Sequence, residues 1–519
     1  MKTLSCRRFS TAAATAPLPF PHHSLPDSRG RDNDFIAVAH SHVLRAEWAA
    51  LDALAPSLTP FRNAHILLRL RNDCHLALKF FNWSLRCSPP ASHTFDTHAI
   101  ILHVLVRSRR FKIAESVFRQ NLMPRTQNST SELFDALLRT YRICDSSPAV
   151  FDVIFKAFAH LRKLRKATET FRLMRDYGFL PNIESCNAFL SSLLHRGRAD
   201  VALAFYREMQ RSRISPNVYT LNMVLSALCK LGKLEKALDL LEKMEGMGCS
   251  PTVVSFNTLI DAQCKNGLLE AAMKLKNMMT GKGLEPTVVT FNTLIHGFCK
   301  QGKMHDAYRV LGEMKTAEVR PNTVTYNTLI DGYSQTGNSE MGAKLYEEMI
   351  ANGVEVDILT YNAIIMGFCN GGKTKKAAHL VKELHEKNVA PNSSTFTAII
   401  IGECKRQNSE RALQIYKVMK RSGYIPKSDT FNLLISTFCK NNDFEGAIQV
   451  LKEMLERYMA PGEALLTELF EGISRCGKTH LVTELRSSTA GARLISEAYF
   501  TNEDRTNVLD LECRSTEDE

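Results

Sequence analysis

The sequence predicts an all-α fold, an α-solenoid in which 35-residue helix-turn-helix units stack into a superhelix, and three observations carry that prediction. Nine consecutive blocks of 35 residues run from Pro148 to Gly462 without insertion or deletion. Six of them, starting at Val218, Val253, Val288, Thr323, Ile358 and Ser393, open on VYTLN, VVSFN, VVTFN, TVTYN, ILTYN and SSTFT. The chain of 519 residues, 44% of them hydrophobic, also exceeds what one core accommodates, since single cores stop growing near roughly 250–300 residues.

With each block numbered from position 1 to position 35, the first element is an amphipathic helix. In the block from Thr323, the apolar residues Tyr326, Leu329, Ile330 and Tyr333 recur at three- and four-residue intervals. Glycine at position 15 (Gly232, Gly267, Gly302, Gly337, Gly372) suits a left-handed cap that ends this helix. A second helix follows, with Leu345 and Met349 on its apolar face. Methionine holds position 27 in eight of nine blocks, with Leu384 in the ninth, which predicts a stripe of inter-repeat core. Most blocks close on proline and one further residue, as in Pro216-Asn217, Pro286-Thr287 and Pro391-Asn392, and the proline is expected to keep the second helix from running on. The block from Thr323 ends in Val356-Asp357 instead.

Around the nine repeats of residues 148–462, four further segments are expected. Residues 1–30 read as an organellar transit peptide: Lys2, Arg7 and Arg8 precede any acid, the first being Asp27, and Ser10–Ala16 is rich in Ser, Thr and Ala. Arginines with few serines point to the mitochondrion, with the chloroplast as the alternative. Residues 31–147 read as a degenerate helical capping region in which His98, Ile101, Leu102, Leu105 and Ala114 still follow the template. Residues 463–497 resemble an eroded tenth repeat, and residues 498–519 an acidic disordered tail with seven acids against two arginines. The whole chain is +12, so a basic body is expected to meet a polyanion.

Several chemistries are excluded by what the pattern lacks. Of the 14 cysteines, Cys229, Cys264, Cys299, Cys369, Cys404 and Cys439 hold position 12. Stacked helices place equivalent positions roughly 10 Å apart, too far for disulfides, which need Cα atoms within about 7 Å, so these read as small buried thiols. No CxxC pair occurs and no two of the 16 histidines are four apart, which removes the common zinc motifs, and no cofactor is expected. No apolar window is long enough to span a membrane. Gly367 to Thr374 and Gly472 to Thr479 both match GxxxxGK[ST], but each falls on positions 10 to 17, where the glycines are assigned to the end of the first helix and its turn. A phosphate loop follows a strand, and here a helix precedes it.

The 35-residue period, the VxTYNxLI opening, the turn glycine, EM at positions 26–27 and the closing proline together resemble the pentatricopeptide repeat family, and the unbroken repeat length resembles its plant organellar P-type subclass. The resemblance implies single-stranded RNA bound along a concave groove, one base per repeat, by a monomeric, non-catalytic protein acting in organellar RNA stability, splicing, processing or translation. The alternative is a solenoid that binds proteins and no RNA.

In the family's scheme, positions 5 and 35 face the base. These are Asn187/Asn217, Asn222/Thr252, Asn257/Thr287, Asn292/Asn322, Asn327/Asp357, Asn362/Asn392 and Thr397/Lys427, with Asn432 beside an atypical Gly462 and an atypical Asp152 before Asn182. Position 2 packs on the base plane, at Val254, Val289, Val324 and Leu359, whereas Glu184, Ser394 and Asp429 do not fit. Lysine at position 13 reaches phosphate, at Lys230, Lys265, Lys300, Lys405 and Lys440, and also suits the C-terminal end of a helix. Asparagine at position 5 implies pyrimidines, and the Asn327/Asp357 pair implies uracil. Asparagine near a helix start also serves as a cap, the competing explanation of position 5.

Overall fold

The computed structural model describes residues 26–481 apart from 88–92, 125–129, 388 and 479. The expected transit peptide lies outside the described residues up to residue 25, as do the acidic tail and residues 482–497 of the tenth repeat. All regular structure among the described residues is helical, paired along the chain as an α-solenoid. The chain divides into two compact units, Met1–Leu259 and Ile260–Glu519.

In the first unit, helices Arg31–Leu44, Trp48–Leu54, Pro60–Arg69, Cys74–Cys87, Phe95–Arg107, Phe111–Val117 and Thr130–Tyr141 precede the regular repeats. His98, Ile101, Leu102, Leu105 and Ala114 are all buried. His103 is buried with both ring nitrogens bonded, Nδ1 to Ser146 Oγ at 2.7 Å and Nε2 to the Leu137 carbonyl at 3.1 Å, and burial pushes its pKa down to about 4. It therefore serves as a neutral link between neighbouring helices.

The second unit shows the repeat at its most regular, in pairs such as Thr323–Gln335 with Ser339–Ala351 and Ile358–Asn370 with Thr374–Glu386. Tyr326, Leu329, Ile330, Leu345 and Met349 are at most 1% exposed. Every position-27 side chain, the eight methionines and Leu384, is 0% exposed, which makes the stripe core rather than a ligand surface. Glutamate at position 26 ties neighbouring second helices together: Glu348 accepts from Lys315 at 2.6 Å, Glu383 from Tyr346 at 2.9 Å and Glu453 from Lys420 at 2.9 Å.

Position 15 is left-handed throughout. Gly302, Gly337 and Gly372 have φ of 70°, 81° and 70°, and Arg162, Gln407 and Asn442 adopt the same conformation at 55°, 58° and 58°. The N–H of position 16 then reaches the carbonyl of position 11, as in Lys303 to Phe298 at 3.0 Å, closing a Schellman cap. The second helix ends the same way, contrary to the expectation that proline stops it. Its last helical residue is Ala351 in one repeat, Gly353 is left-handed at φ 66°, and Val354 N–H donates to the Met349 carbonyl at 3.0 Å. Arg213, Glu318 and Tyr458 hold the equivalent left-handed position without being glycine. Proline sits beyond that cap, in the extended approach to the next helix, so the repeat ending in Val356-Asp357 stops its helix equally well.

The glycines at position 10 lie in the last turn of the first helix, as Gly367 does in Ile358–Asn370, and those at position 15 in the turn that follows. A Cβ on Gly402 would sit 2.5 Å from Cys369 Cβ, and one on Gly297 2.7 Å from Cys264 Cβ. Small residues at positions 10 and 12 thus let consecutive first helices approach closely. Gly402→Ala is expected to destabilise the protein by about 1–3 kcal/mol because the Cβ and Cα of Cys369 cannot yield. Gly312→Ala, in helix Met304–Thr316 with nothing within 4 Å, is expected to stabilise it by about 0.5–1 kcal/mol. Denaturant unfolding reads both signs. Burial pushes the thiols of Cys264, Cys299, Cys369 and Cys439 up to about 12, and all the described cysteines are unbridged.

In both phosphate-loop matches the N–H groups of the turn, including those of Cys476, Gly477 and Lys478 in the second, are bonded to backbone carbonyls. The N–H groups of Gly371, Gly372 and Lys373 bond to the carbonyls of Gly367, Cys369 and Phe368, and Lys373 pairs with Glu340. Lys478 pairs with Glu445 at 3.3 Å.

Candidate nucleic-acid interface

The candidate surface is built at the start of each first helix. Position 35 is the N-cap residue, in extended conformation, and where it is Asn or Asp its side chain accepts a backbone N–H. Asn217 accepts from Thr220 N at 2.9 Å, Asn322 from Thr325 N at 3.1 Å, Asp357 from Thr360 N at 2.9 Å and Asn392 from Thr395 N at 3.1 Å. The hydroxyl at position 3 answers by accepting the cap residue's own N–H, completing a capping box in these four repeats. Capping therefore belongs to position 35, and position 5 is left for another role.

Position 5 lies one turn into the helix. Asn222, Asn257, Asn292, Asn327, Asn362, Thr397 and Asn432 are half-buried, while Asn187 is only 6% exposed. Each Asn–Asn or Asn–Asp pair is linked directly within its own repeat, from the first helix to the cap of the next helix: Asn187 Nδ2 donates to Asn217 Oδ1 at 3.2 Å, Asn292 to Asn322 at 3.3 Å, Asn327 to Asp357 at 3.0 Å and Asn362 to Asn392 at 3.1 Å. The two positions that the sequence pairs are thus adjacent in space. In Asp357, burial disfavours the charge, but the N–H of Thr360 and the Asn327 amide outweigh it and hold the carboxyl below the usual range. It is ionised at neutral pH.

The ends of the array differ. Asp152 is 7% exposed and accepts the Asn182 backbone N–H at 3.0 Å, and burial raises its pKa, so it is structural. Thr397 gives its hydroxyl to the Ser393 carbonyl at 2.9 Å, and exposed Lys427 makes no side-chain cap. Thr252 and Thr287 are further position-35 residues, half-buried and exposed respectively, whose N–H groups donate to the hydroxyls of Ser255 and Thr290 at 3.0 Å.

Position 2 of the first helix is apolar and exposed in several repeats. Val254, Val289, Val324 and Leu359 are 59%, 61%, 57% and 60% exposed in a protein whose other helical apolar positions are mostly buried. Tyr219, 58% exposed, occupies position 2 of the repeat from Val218 and was missed by sequence reasoning, although its aromatic ring at that position was a readable signal. Lys230, Lys265, Lys300, Lys405 and Lys440 are all exposed and each is the last residue of its helix. Lys265 pairs with Asp261 at 2.6 Å and Lys405 donates to Asn370 at 2.7 Å, so their ammonium groups already have local partners.

Among the described residues no cluster of three or more His, Cys, Asp or Glu is placed to hold a metal ion. No described helix is long and apolar enough to cross a membrane.

The model of the PPR repeat family matches residues 181–230, 220–261, 251–300, 286–333, 321–370 and 356–405, and PPR repeat models match 149–179, 394–424 and 422–455. The chain is 52% identical over 205 residues to the mitochondrial pentatricopeptide repeat-containing protein At4g26680 of Arabidopsis thaliana, and 34% identical over 155 residues to protein At5g01110 of the same plant and description. These stretches make up 40% and 30% of this chain and 39% and 21% of the relatives, so the chain spans less than half the length of either. The crystal structure of the pentatricopeptide repeat protein PPR10 from maize is similar over 94% of this chain and 87% of that one, at 19% identity and a TM-score of 0.44. Because repeat matches cover more than half of its residues, and these units are unbroken pairs of capped helices, the chain belongs to the pentatricopeptide repeat family.

Proposed function

We propose that this protein is a non-catalytic, sequence-specific binder of single-stranded RNA, acting as a monomer in mitochondrial RNA metabolism. The observation that carries the reading is the recurrence, in the three consecutive repeats from Val288, Thr323 and Ile358, of an exposed apolar position 2 together with a hydrogen-bonded pair at positions 5 and 35. An apolar side chain left in water gains by covering the face of a base. A polar amide beside it presents hydrogen-bonding capacity to the base edge. The mitochondrial placement rests on the arginine-bearing leader of the sequence.

The target is a pyrimidine-rich stretch with uracil opposite the repeat from Thr323, N-terminal repeats toward the 5′ end, and lysines at position 13 reaching the phosphates. Filter binding of the full chain to a pyrimidine 9-mer and to its purine complement tests this. Preferential binding of the pyrimidine strand is expected, with log affinity falling against log salt at a slope of about −3.5 if five phosphates are neutralised. Equal affinity for both strands, or no retention at low salt, would sink the proposal.

A further inference from the structure

An amide has two ends, and turning it end for end exchanges a donor for an acceptor, so base recognition at position 5 requires that its orientation be held. The groups that hold it belong to the neighbouring helix. Ionised Asp357 has no proton to give, so the atom of Asn327 lying 3.0 Å from Asp357 Oδ1 is the nitrogen. Asn327 Oδ1 then faces Thr360 Oγ1 at 2.6 Å. The Thr360 hydroxyl also lies 2.9 Å from Asp357 Oδ1 but carries a single proton. Spending that proton on Asp357 would leave two bare oxygens 2.6 Å apart, so it goes to Asn327.

The same bond recurs from Thr220 to Asn187 at 2.7 Å, from Thr325 to Asn292 at 2.7 Å and from Thr395 to Asn362 at 2.6 Å. Ser255 makes it to Asn222 at 2.6 Å. Each of these hydroxyls is at most 1% exposed. They are out of reach of any ligand. The repeat from Ser428 is a natural exception: Leu465 stands at position 3 of the next segment, and Asn432 Oδ1 is buried with no hydrogen-bond partner among the described residues.

We propose that the buried hydroxyl at position 3 is a positioning residue for base recognition by the repeat before its own. The inference rests on the RNA-binding reading above. With its oxygen occupied by the hydroxyl and one N–H by position 35, the amide turns its remaining N–H to the base and acts there as a donor. A hydroxyl buried in one repeat thereby sets the selectivity of another.

The test is Thr360→Val in the full chain, an isosteric loss of the hydroxyl that leaves the Asp357 cap acceptor in place. Thr360 belongs to the repeat from Ile358, yet discrimination is expected to fall at the base facing Asn327, in the repeat from Thr323. Matched and mismatched 9-mers should show a drop of about fivefold at that base, the value of one hydrogen bond, and Thr360→Ser should retain wild-type discrimination. Unchanged discrimination, or a loss at the base facing Asn362 instead, overturns the inference. If wild-type protein binds every 9-mer equally, the RNA-binding reading fails first and the inference with it. Should circular dichroism show Thr360→Val unfolded, Thr325→Val, read at the base facing Asn292, decides in the same way.

Discussion

Asp357→Asn is expected to move the preferred base opposite the repeat from Thr323 from uracil to cytosine while leaving the fold intact. Asp357 Oδ1 is occupied by Thr360 N–H at 2.9 Å and Asn327 Nδ2 at 3.0 Å, and on the proposed reading Oδ2 meets the base as a charged acceptor. Uracil presents a donor at N3 and cytosine an acceptor. Asparagine keeps the Oδ1 contacts and replaces Oδ2 by an N–H donor, which fits cytosine. Asparagine and aspartate cap helices about equally well, and Asn322 and Asn392 already do so in adjacent repeats. Since hydrogen bonds to a charged group contribute about 1.5–3 kcal/mol, the uracil-to-cytosine affinity ratio should change by about tenfold or more. Paired 9-mers differing only at the sixth base measure it, with thermal unfolding as the control. An unchanged ratio would remove Asp357 from recognition.

Met349→Ala should cost about 2–5 kcal/mol. Met349 is 0% exposed and occupies the position that is fully buried in every repeat. Truncation removes transfer free energy and leaves a cavity that helices already capped at both ends are poorly able to collapse. Met349→Leu should cost less than about 1.5 kcal/mol, because the volume is conserved and Leu384 fills the equivalent place. Urea unfolding compares the two, and a similar loss for both would show that methionine's shape, not its volume, is what the site requires.

The periodic features were legible because they depend on residue types with one dominant use. Methionine at position 27 and the apolar face of Tyr326, Leu329 and Ile330 are buried where the pattern puts them. The glycine cap at position 15 was legible for the same reason. The second left-handed cap was hidden, since Arg213, Glu318 and Tyr458 adopt it with no glycine to announce it. Proline drew the helix stop to itself, although it stands past the point where the chain has already turned. The packing role of the position-10 glycines was hidden because a close approach between helices depends on the partner's residue, such as Cys369 against Gly402. The link from position 3 to position 5 was likewise invisible: Thr360 and Asn327 are 33 residues apart, and one-dimensional spacing does not say which oxygen a hydroxyl will find.

Position 35 starts a helix as well as flanking position 5, and those two duties restrict each other. Side chains that initiate a helix well are short and carry an oxygen, so asparagine, aspartate and threonine fill the site from Asn182 through Asn392. Arginine, glutamine or an aromatic group there would forfeit the cap, at about 1 kcal/mol for each repeat so altered. The lexicon open to that site is consequently small before any ligand is considered. On the proposed reading, discrimination among bases is composed from a few short polar groups and from the order in which the repeats occur.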